Sequence, residues 1–350
     1  MNQPMRILFV SHTDSHGIFR VGSHHLAAEL ARLGHDVVHL STPISMVHRV
    51  LGRVPRSRAR ATPSDEVDAS GVRHIVPRTL LPAGIGTFSV ATELRRRRLD
   101  RFDLVLVDQP LMWHQSVREL ADIVVYRPTD EYPRGMKAGL QRDALHHVDG
   151  VIATSVEVLR GLGDVRVPAI VVPNGVDTAR FTETNGTRAE TCVYAGALDR
   201  RFDWGRVARW AGAHRDVRFE LIGPLTGEPP TLPDNVAVLG ALPYDELPAR
   251  FAAARVGLLP LSDDPGNAGR SPMKLYEYLA SGLNVVSRRT PVIASDPSNG
   301  VYTYADEAEA QSALQAALER REPNGSGAQL AQSHSWTAKV AAILTFVGGL

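Results

Sequence analysis

Arg6 to Ser41 reads RILFVSHTDSHGIFRVGSHHLAAELARLGHDVVHLS. Arg6-Ile-Leu-Phe-Val-Ser11 is a short apolar run that ends in polar residues, the pattern of a buried strand. From Gly22 onward, Leu26, Leu30 and Leu33 recur at helical spacing, and Gly34 stands where a helix C-terminus is expected. Asp36-Val-Val-His-Leu-Ser41 is a second strand, so the chain opens β-loop-α-β. Further short apolar runs follow at 104–108, 123–127, 151–154 and 170–173, with helical stretches near 114–121, 137–147 and 155–162 between them. Strands alternating with helices indicate a parallel sheet covered on both faces.

A second cycle starts at Thr191-Cys-Val-Tyr-Ala-Gly196. Strands are expected at 218–223, 236–240, 256–260, 284–287 and 301–303, with helices near 203–214, 244–254, 272–281 and 305–320. The polar, Gly/Asn-rich stretch 174–190 reads as a linker. The expected organisation is an N-terminal Rossmann-like domain over 1–175, a second over 190–335, and a C-terminal helix over 336–350. Two α/β units of this kind face each other across a central cleft, and ligands of such sheets bind outside the carboxyl ends of the strands.

Composition narrows the function. The 350 residues carry 39 basic and 38 acidic side chains, a balance that argues against whole-protein nucleic-acid binding. A single cysteine, Cys192, excludes a disulfide framework and a cysteine-rich zinc site. No run approaches a membrane span, and the apolar run at the N-terminus is too short for a signal peptide, so a cytoplasmic enzyme is expected. No histidine–carboxylate group has metal-ligand spacing, so no metal and no cofactor beyond a substrate nucleotide is expected. Residues 48–101 hold 12 arginines against 5 acids. That run reads as a solvated surface, as a footprint for an anionic lipid or membrane, or as a nucleic-acid patch; no interleaved aromatics support the last.

The strongest chemical signal is Asp264-Pro-Gly-Asn-Ala-Gly-Arg270-Ser-Pro-Met-Lys274-Leu-Tyr-Glu277. It follows a strand, so a flexible loop is expected to deliver Ser271 as N-cap and Pro272 as first-turn residue of a helix. Free N–H groups there suit a diphosphate. Met273 and Lys274 lie on the first turn, Arg270 adds a guanidinium fork, and Glu277 shares the face of Lys274, ready to accept from ribose hydroxyls. An exposed Lys–Glu pair on an amphipathic helix is the plainer alternative.

This segment resembles the nucleotide-sugar motif of GT-B glycosyltransferases. Val172-Pro-Asn-Gly-Val-Asp177 is similar to their interdomain segment, and Tyr194-Ala-Gly-Ala to the opening strand of their second domain. Arg20-Val-Gly-Ser-His-His-Leu-Ala, Leu40-Ser-Thr-Pro-Ile-Ser45 and Ser271-Pro-Met-Lys274 resemble the GumK-like bacterial glucuronosyltransferases. The Glu-x-Phe-Gly of retaining family 4 enzymes is replaced here by Asp264-Pro-Gly-Asn. The resemblance therefore implies an inverting, metal-independent transfer from a UDP-sugar, UDP-glucuronate being one donor, to a hydroxyl of a glycan, lipid-linked or small-molecule acceptor. It also implies peripheral contact with the inner face of a membrane, and a C-terminal helix that crosses back to the N-terminal domain.

Inversion needs one general base. In Arg127-Pro-Thr-Asp130, Asp130 follows a strand and matches the catalytic aspartate of the GumK-like pattern, with Glu131 as its neighbouring substitute; a loop or helix-capping role is the alternative. The polar loop after the first strand supplies rival and acceptor-side residues, His12, His16 and Arg20. Arg200 and Arg201 follow the first strand of the second domain, within reach of a diphosphate or as part of a solvated loop. Three other readings share the architecture: a retaining family-4-like transferase, a UDP-sugar 2-epimerase, and a non-catalytic nucleotide-sugar-binding module.

Overall fold

The computed structural model describes residues 3–17, 20–51, 62–83, 88–183 and 188–350. Arg53, Arg56, Arg58 and Arg60 of the arginine run lie outside the described residues. The chain divides into two units, Met1–Pro173 with Lys339–Leu350, and Asn174–Ala338.

The strands of unit 1 are β1 (Arg6–Val10), β2 (Asp36–Leu40), β3 (Ile44–Ser45), β4 (Asp65–Val67), β5 (Arg73–Ile75), β6 (Arg78–Thr79), β7 (Phe102–Val107), β8 (Ala121–Tyr126), β9 (Gly150–Ala153) and β10 (Ala169–Val171). Eight of them form one sheet in the order β10-β9-β8-β7-β1-β2-β5-β4, and β3 pairs with β6 apart from it. Pairing is parallel except at the β4–β5 edge. Central strands of such a sheet are covered on both faces and carry unbroken apolar runs; Ile7, Leu8, Phe9 and Val10 are fully buried accordingly. All parallel strands end at one edge, so Ser11 and His12, Ser41 and Thr42, Asp108 and Gln109, and Arg127 collect there.

The helix Gly22–Arg32 stops at Leu33, and Gly34 takes the left-handed φ of +91° that ends it. The helix Trp336–Val347 belongs to unit 1 from Lys339 on. Its buried Val340, Ile343 and Val347 recur at helical spacing. A Cβ on Gly150 at the start of β9 would lie 2.9 Å from Leu350, so glycine lets the chain end pack there.

Unit 2 holds β11 (Thr191–Ala195), β12 (Arg218–Ile222), β13 (Val236–Gly240), β14 (Val256–Leu259), β15 (Asn284–Arg288) and β16 (Val301–Tyr304), in the order β13-β12-β11-β14-β15-β16. Every pairing is parallel. One apolar cluster gathers Phe251, Tyr278, Leu279 and Val285, another Val207, Trp210, Phe219 and Leu314. Each of the two units is thus an α/β fold built on a mainly parallel sheet.

The structure refines or adds to the expected elements at four points. The helix near 114–121 is a 3-10 helix, Gln115–Leu120, whose buried Val117 and Leu120 are three apart and match that period. The arginine-rich stretch holds strands β4 to β6 and the helix Val90–Arg95. A helix not anticipated, Gly325–Ser333, is capped by Asn324, whose side chain accepts the Gly327 N–H at 3.0 Å. The segment from Asn174 is no loose connector: Val176 and Phe181 are buried in unit 2.

Candidate functional site

In unit 2, the charged residues gather where β11 and β14 end. The helix Met273–Ala280 is held on the sheet by Tyr278, whose ring lies against Gly257 so closely that a Cβ there would meet it at 2.4 Å. Its hydroxyl accepts the Ala195 N–H at 2.8 Å. That clamp fixes the rotation of the helix and turns Glu277 inward. Glu277 is 1% exposed, so it is not the solvated half of a surface pair. The Tyr244 hydroxyl donates to Glu277 Oε1 at 3.2 Å, and Lys274 Nζ pairs with Oε2 while lying 5.5 Å from the centre of the Tyr244 ring. Burial, then the Glu277 charge, drives the Tyr244 phenol well above its ordinary pKa, so it remains a donor.

The helix start differs from expectation. Pro272 is the N-cap and no side chain caps it. The Ser271 hydroxyl instead accepts the Asn174 N–H at 3.1 Å, and Asn174 Nδ2 donates to the Ser271 carbonyl at 2.8 Å. Ser271 is therefore a fastening between the two motifs; no side chain caps the first turn, where the Leu275 N–H donates to the Pro272 carbonyl at 3.2 Å. Met273 is half-buried on that turn. The preceding loop is sewn down rather than loose: Asn267 Nδ2 donates to the carbonyls of Arg201 and Ser262 at 3.0 and 3.1 Å. Arg200 pairs with Asp264 at 2.7 Å and its side chain is 80% exposed; Arg201 forks onto Asp199. The charge of Arg270 reaches both Tyr194 and Asp199. Gly196 and Gly223 close the same edge, with Gly223 at φ +149° and room for no Cβ, since one would fall 1.7 Å from the Gly196 carbonyl.

In unit 1, a cavity of about 390 Å³ is lined by His12, Asp14, Thr42, His48 and Gln109, with Pro43, Ile44, Pro82 and Leu111 as apolar walls. His12 is held low by burial, which the charges of Asp108 and Asp130 partly offset. Asp108 and Arg127, at the ends of β7 and β8, form a buried pair at 2.9 Å, leaving Asp108 Oδ1 without a partner. The apolar run that leads into Asp108 was the sequence signal for it, and no role was read there. Asp130 is exposed four residues past β8, with the Thr129 hydroxyl 3.4 Å from Oδ2. Glu131 turns the other way, against Gly161 and within reach of the Glu157 charge. His16 Nε2 meets Glu66 at 2.5 Å, and Arg20 is exposed. Thr42 fell within a segment quoted only for its resemblance, and His48 and Gln109 went unread, since nothing in single-sequence spacing links the ends of β2 and β7.

Residues 201–345 match the family described as Glycosyl transferase-like. The chain is 22% identical over 225 residues to TuaH of Bacillus subtilis, named as a teichuronic acid biosynthesis glycosyltransferase; the match covers 59% of this chain and 55% of that one, so it spans little more than half of the relative. Among solved structures, sucrose-phosphate synthase from Thermosynechococcus elongatus superposes with a TM-score of 0.72 at 15% identity, over 97% of this chain and 98% of that one. HepE of Anabaena, in complex with UDP and glucose, superposes with a TM-score of 0.68 at 14% identity, over 99% and 100%. Among the described residues, no helix is long and apolar enough to cross a membrane.

Proposed function

We propose that this protein is a glycosyltransferase that moves a sugar from a nucleoside-diphosphate donor to an acceptor hydroxyl. The observation that carries the reading is the buried Glu277, held by Tyr244 and Lys274 at the open strand ends of the unit whose sequence matches the glycosyltransferase-like family. A carboxylate is costly to bury without a purpose for its charge, and Glu277 sits one turn along a helix whose start carries no side-chain cap. Bound donor is read as follows: the diphosphate meets the first-turn N–H groups, Lys274 and Arg270, and Glu277 accepts from ribose hydroxyls. UDP is the nucleotide to test first, since HepE is seen with UDP and glucose; glucuronate is the sugar the GumK-like resemblance favours.

The transfer is inverting on this reading. The acceptor oxygen attacks the anomeric carbon, the bond from that carbon to the diphosphate oxygen breaks, and the acceptor proton passes to a carboxylate. Asp130 is that base: it is exposed at the strand-end edge of unit 1, and its charge is felt at His12 beside the cavity. The leaving diphosphate carries away the electron pair, and Lys274, Arg270 and the helix start stabilise its charge without a metal. A glycan, lipid-linked or small-molecule hydroxyl occupies the unit 1 cavity. A second reading gives the proton to His12, because His12 lines that cavity and burial keeps its imidazole neutral.

Calorimetric titration of UDP, GDP, TDP and their sugars into wild type and Lys274→Ala tests the donor half. One nucleotide should bind, and Lys274→Ala should weaken it about tenfold or more; no binding by any nucleotide would remove the transferase reading. Asp130→Asn should abolish turnover while nucleotide affinity stays unchanged. Retained turnover there, with loss in His12→Ala, would move the base to His12. The anomeric configuration of the product by NMR separates inversion from retention, and turnover of donor without acceptor would mark an epimerase.

A further inference from the structure

Beside the unit 1 cavity stands a cation that the proposed chemistry leaves unused. Lysine is scarce in this chain, at positions 137, 274 and 339 only, and the other basic residues are arginines. Lys274 belongs to the candidate donor site, and Lys339 is buried in the C-terminal helix. Lys137 lies half-buried on the first turn of the helix Gly135–Leu145, with Nζ 4.5 Å from the centre of the Tyr132 ring. That contact holds the ammonium in place without neutralising it. Among the described residues Lys137 has no hydrogen bond and no ion pair, and no acidic residue occupies the first turn of its helix.

The groups around it define what it can bind. Tyr132 stands two residues after Asp130, and its phenol is raised by burial and by the Asp130 and Asp108 charges. Asp130 has the Thr129 hydroxyl at 3.4 Å and, among the described residues, no cation paired with it. The charges of Asp130 and Lys137 both reach His12 on the cavity wall. Asp108 and Arg127, whose charges also reach His12, neutralise each other in their buried pair. An unpaired carboxylate and an unpaired ammonium thus flank one imidazole, the first able to take a proton and the second to hold an anion. The described residues that line the cavity include one carboxylate, Asp14, and no ammonium or guanidinium. Asp14 repels an acid group from the cavity itself, which leaves Lys137 as the place for one. A compact ammonium suits a single carboxylate, whereas the donor diphosphate on the proposed reading is shared between Lys274, Arg270 and a helix start.

We propose that Lys137 is an acceptor-binding residue and that the acceptor is an acidic sugar, its carboxylate on Lys137 and its reacting hydroxyl beside Asp130 and His12. Thr42, His48 and Gln109 suit the remaining hydroxyls, and Pro43 and Ile44 the apolar face of the ring. This inference rests on the transferase reading for the reaction, but the carboxylate site stands without it.

The test follows the His12 C2–H resonance of the full chain, assigned by its loss in His12→Gln, through pH titrations with methyl β-D-glucuronoside, methyl β-D-glucoside or acetate added. The glucuronoside should move the His12 midpoint up, because its carboxylate cancels the ammonium charge that helps hold the midpoint down; the glucoside should leave it in place. Lys137→Met should raise the midpoint by itself and abolish the response, and Lys137→Arg, which keeps the charge, should retain it. With a donor that binds in calorimetry, kcat/KM for p-nitrophenyl β-D-glucuronide should exceed that for the matching glucoside about tenfold or more. Lys137→Met should bring that ratio close to one by raising KM for the glucuronide alone. A His12 midpoint that the glucuronoside does not move, or that acetate moves as far, would overturn the proposal. So would equal turnover of the two acceptors, or a loss in Lys137→Met shared by both, which would make Lys137 a positioning residue for Asp130. Absence of UDP binding would remove the transferase reading, while the His12 titration would still decide the carboxylate site.

Discussion

His24 offers a test of the unit 1 packing whose size follows from the structure. Its ring is buried under the loop that carries His12: Nε2 lies 2.9 Å from the Thr13 carbonyl, and Nδ1 accepts the Val21 N–H at 3.3 Å. Those two contacts fit only the neutral ring with its proton on Nε2. The centroids of His39 and His74 are 4.6 and 6.2 Å away, so a charge on His24 would also face two further imidazoles. Burial, with the His74 and Arg20 charges, brings His24 down from 6.5 to about 4. In the unfolded chain the ring takes up its proton near pH 6.5; in the folded protein it declines to do so until about pH 4. Stability is therefore full above pH 6.5 and drains away as pH falls toward 4, by about 3 kcal/mol for this group. His39 is fully buried and is likewise held well below its ordinary value by that burial, and adds to the same acid loss. In His24→Gln the group is gone. The variant should be less stable at pH 7.5 by about 1–3 kcal/mol for the lost contacts, and that deficit should shrink or reverse by about 3 kcal/mol by pH 4. Urea unfolding of both proteins at pH 7.5, 6.5, 5.5 and 4.5, followed by tryptophan fluorescence, reads the difference, and carboxylate effects common to both cancel. Wild type and variant falling in parallel across the range would refute the reasoning.

Other perturbations probe the two units separately. Asp108→Asn should cost about 3–5 kcal/mol in urea unfolding, because it strands the Arg127 guanidinium in a dry interior; Asp108→Leu/Arg127→Met should recover most of that. Gly223→Ala should lower the thermal midpoint sharply, with at least about 3 kcal/mol lost, because the new Cβ would collide with the Gly196 carbonyl; an unchanged midpoint would mean the two loops are free to separate. Glu277→Ala should weaken UDP binding about tenfold or more in calorimetry, whereas Arg200→Ala, which removes an exposed guanidinium paired with Asp264 at 2.7 Å, should change it by less than about threefold.

Much of the fold was legible because parallel sheets announce themselves. A strand covered on both faces is an unbroken apolar run, and β1, β2, β7, β8, β11, β12 and β14 all read that way from single-sequence pattern. What escaped lies where pattern is thin. β4 and β5 sit at a sheet edge, three residues each, with exposed Asp65 and Val67 and no run to detect. The Gln115–Leu120 turn has a period of three, which over six residues cannot be told from an α-helix. Gly325-Ser-Gly is poor in helix-forming residues, and the helix there starts at the Asn324 cap.

The site divides along the same line, between what one segment encodes and what several must assemble. Lys274 and Glu277 share one helix, so their common face follows from a three-residue separation. That Glu277 faces inward does not: it depends on Gly257 in β14 admitting the Tyr278 ring and on the Ala195 N–H gripping its hydroxyl, two strands distant in sequence. Ser271 was read as a cap because serine before proline usually is one, yet its hydroxyl is claimed by Asn174, a hundred residues back along the chain to within a few. Unit 1 makes the same point more strongly. His12, Thr42, Asp108 and Arg127 end four different strands, and only the order β8-β7-β1-β2 brings them to one edge. A resemblance and a polar loop single out Asp130 and His12 as candidates, but the buried Asp108–Arg127 pair needed the register of the sheet. A substitution there, far from any recognisable motif, should therefore disturb the His12 and Asp130 side of the site as much as a change in the loops that carry them.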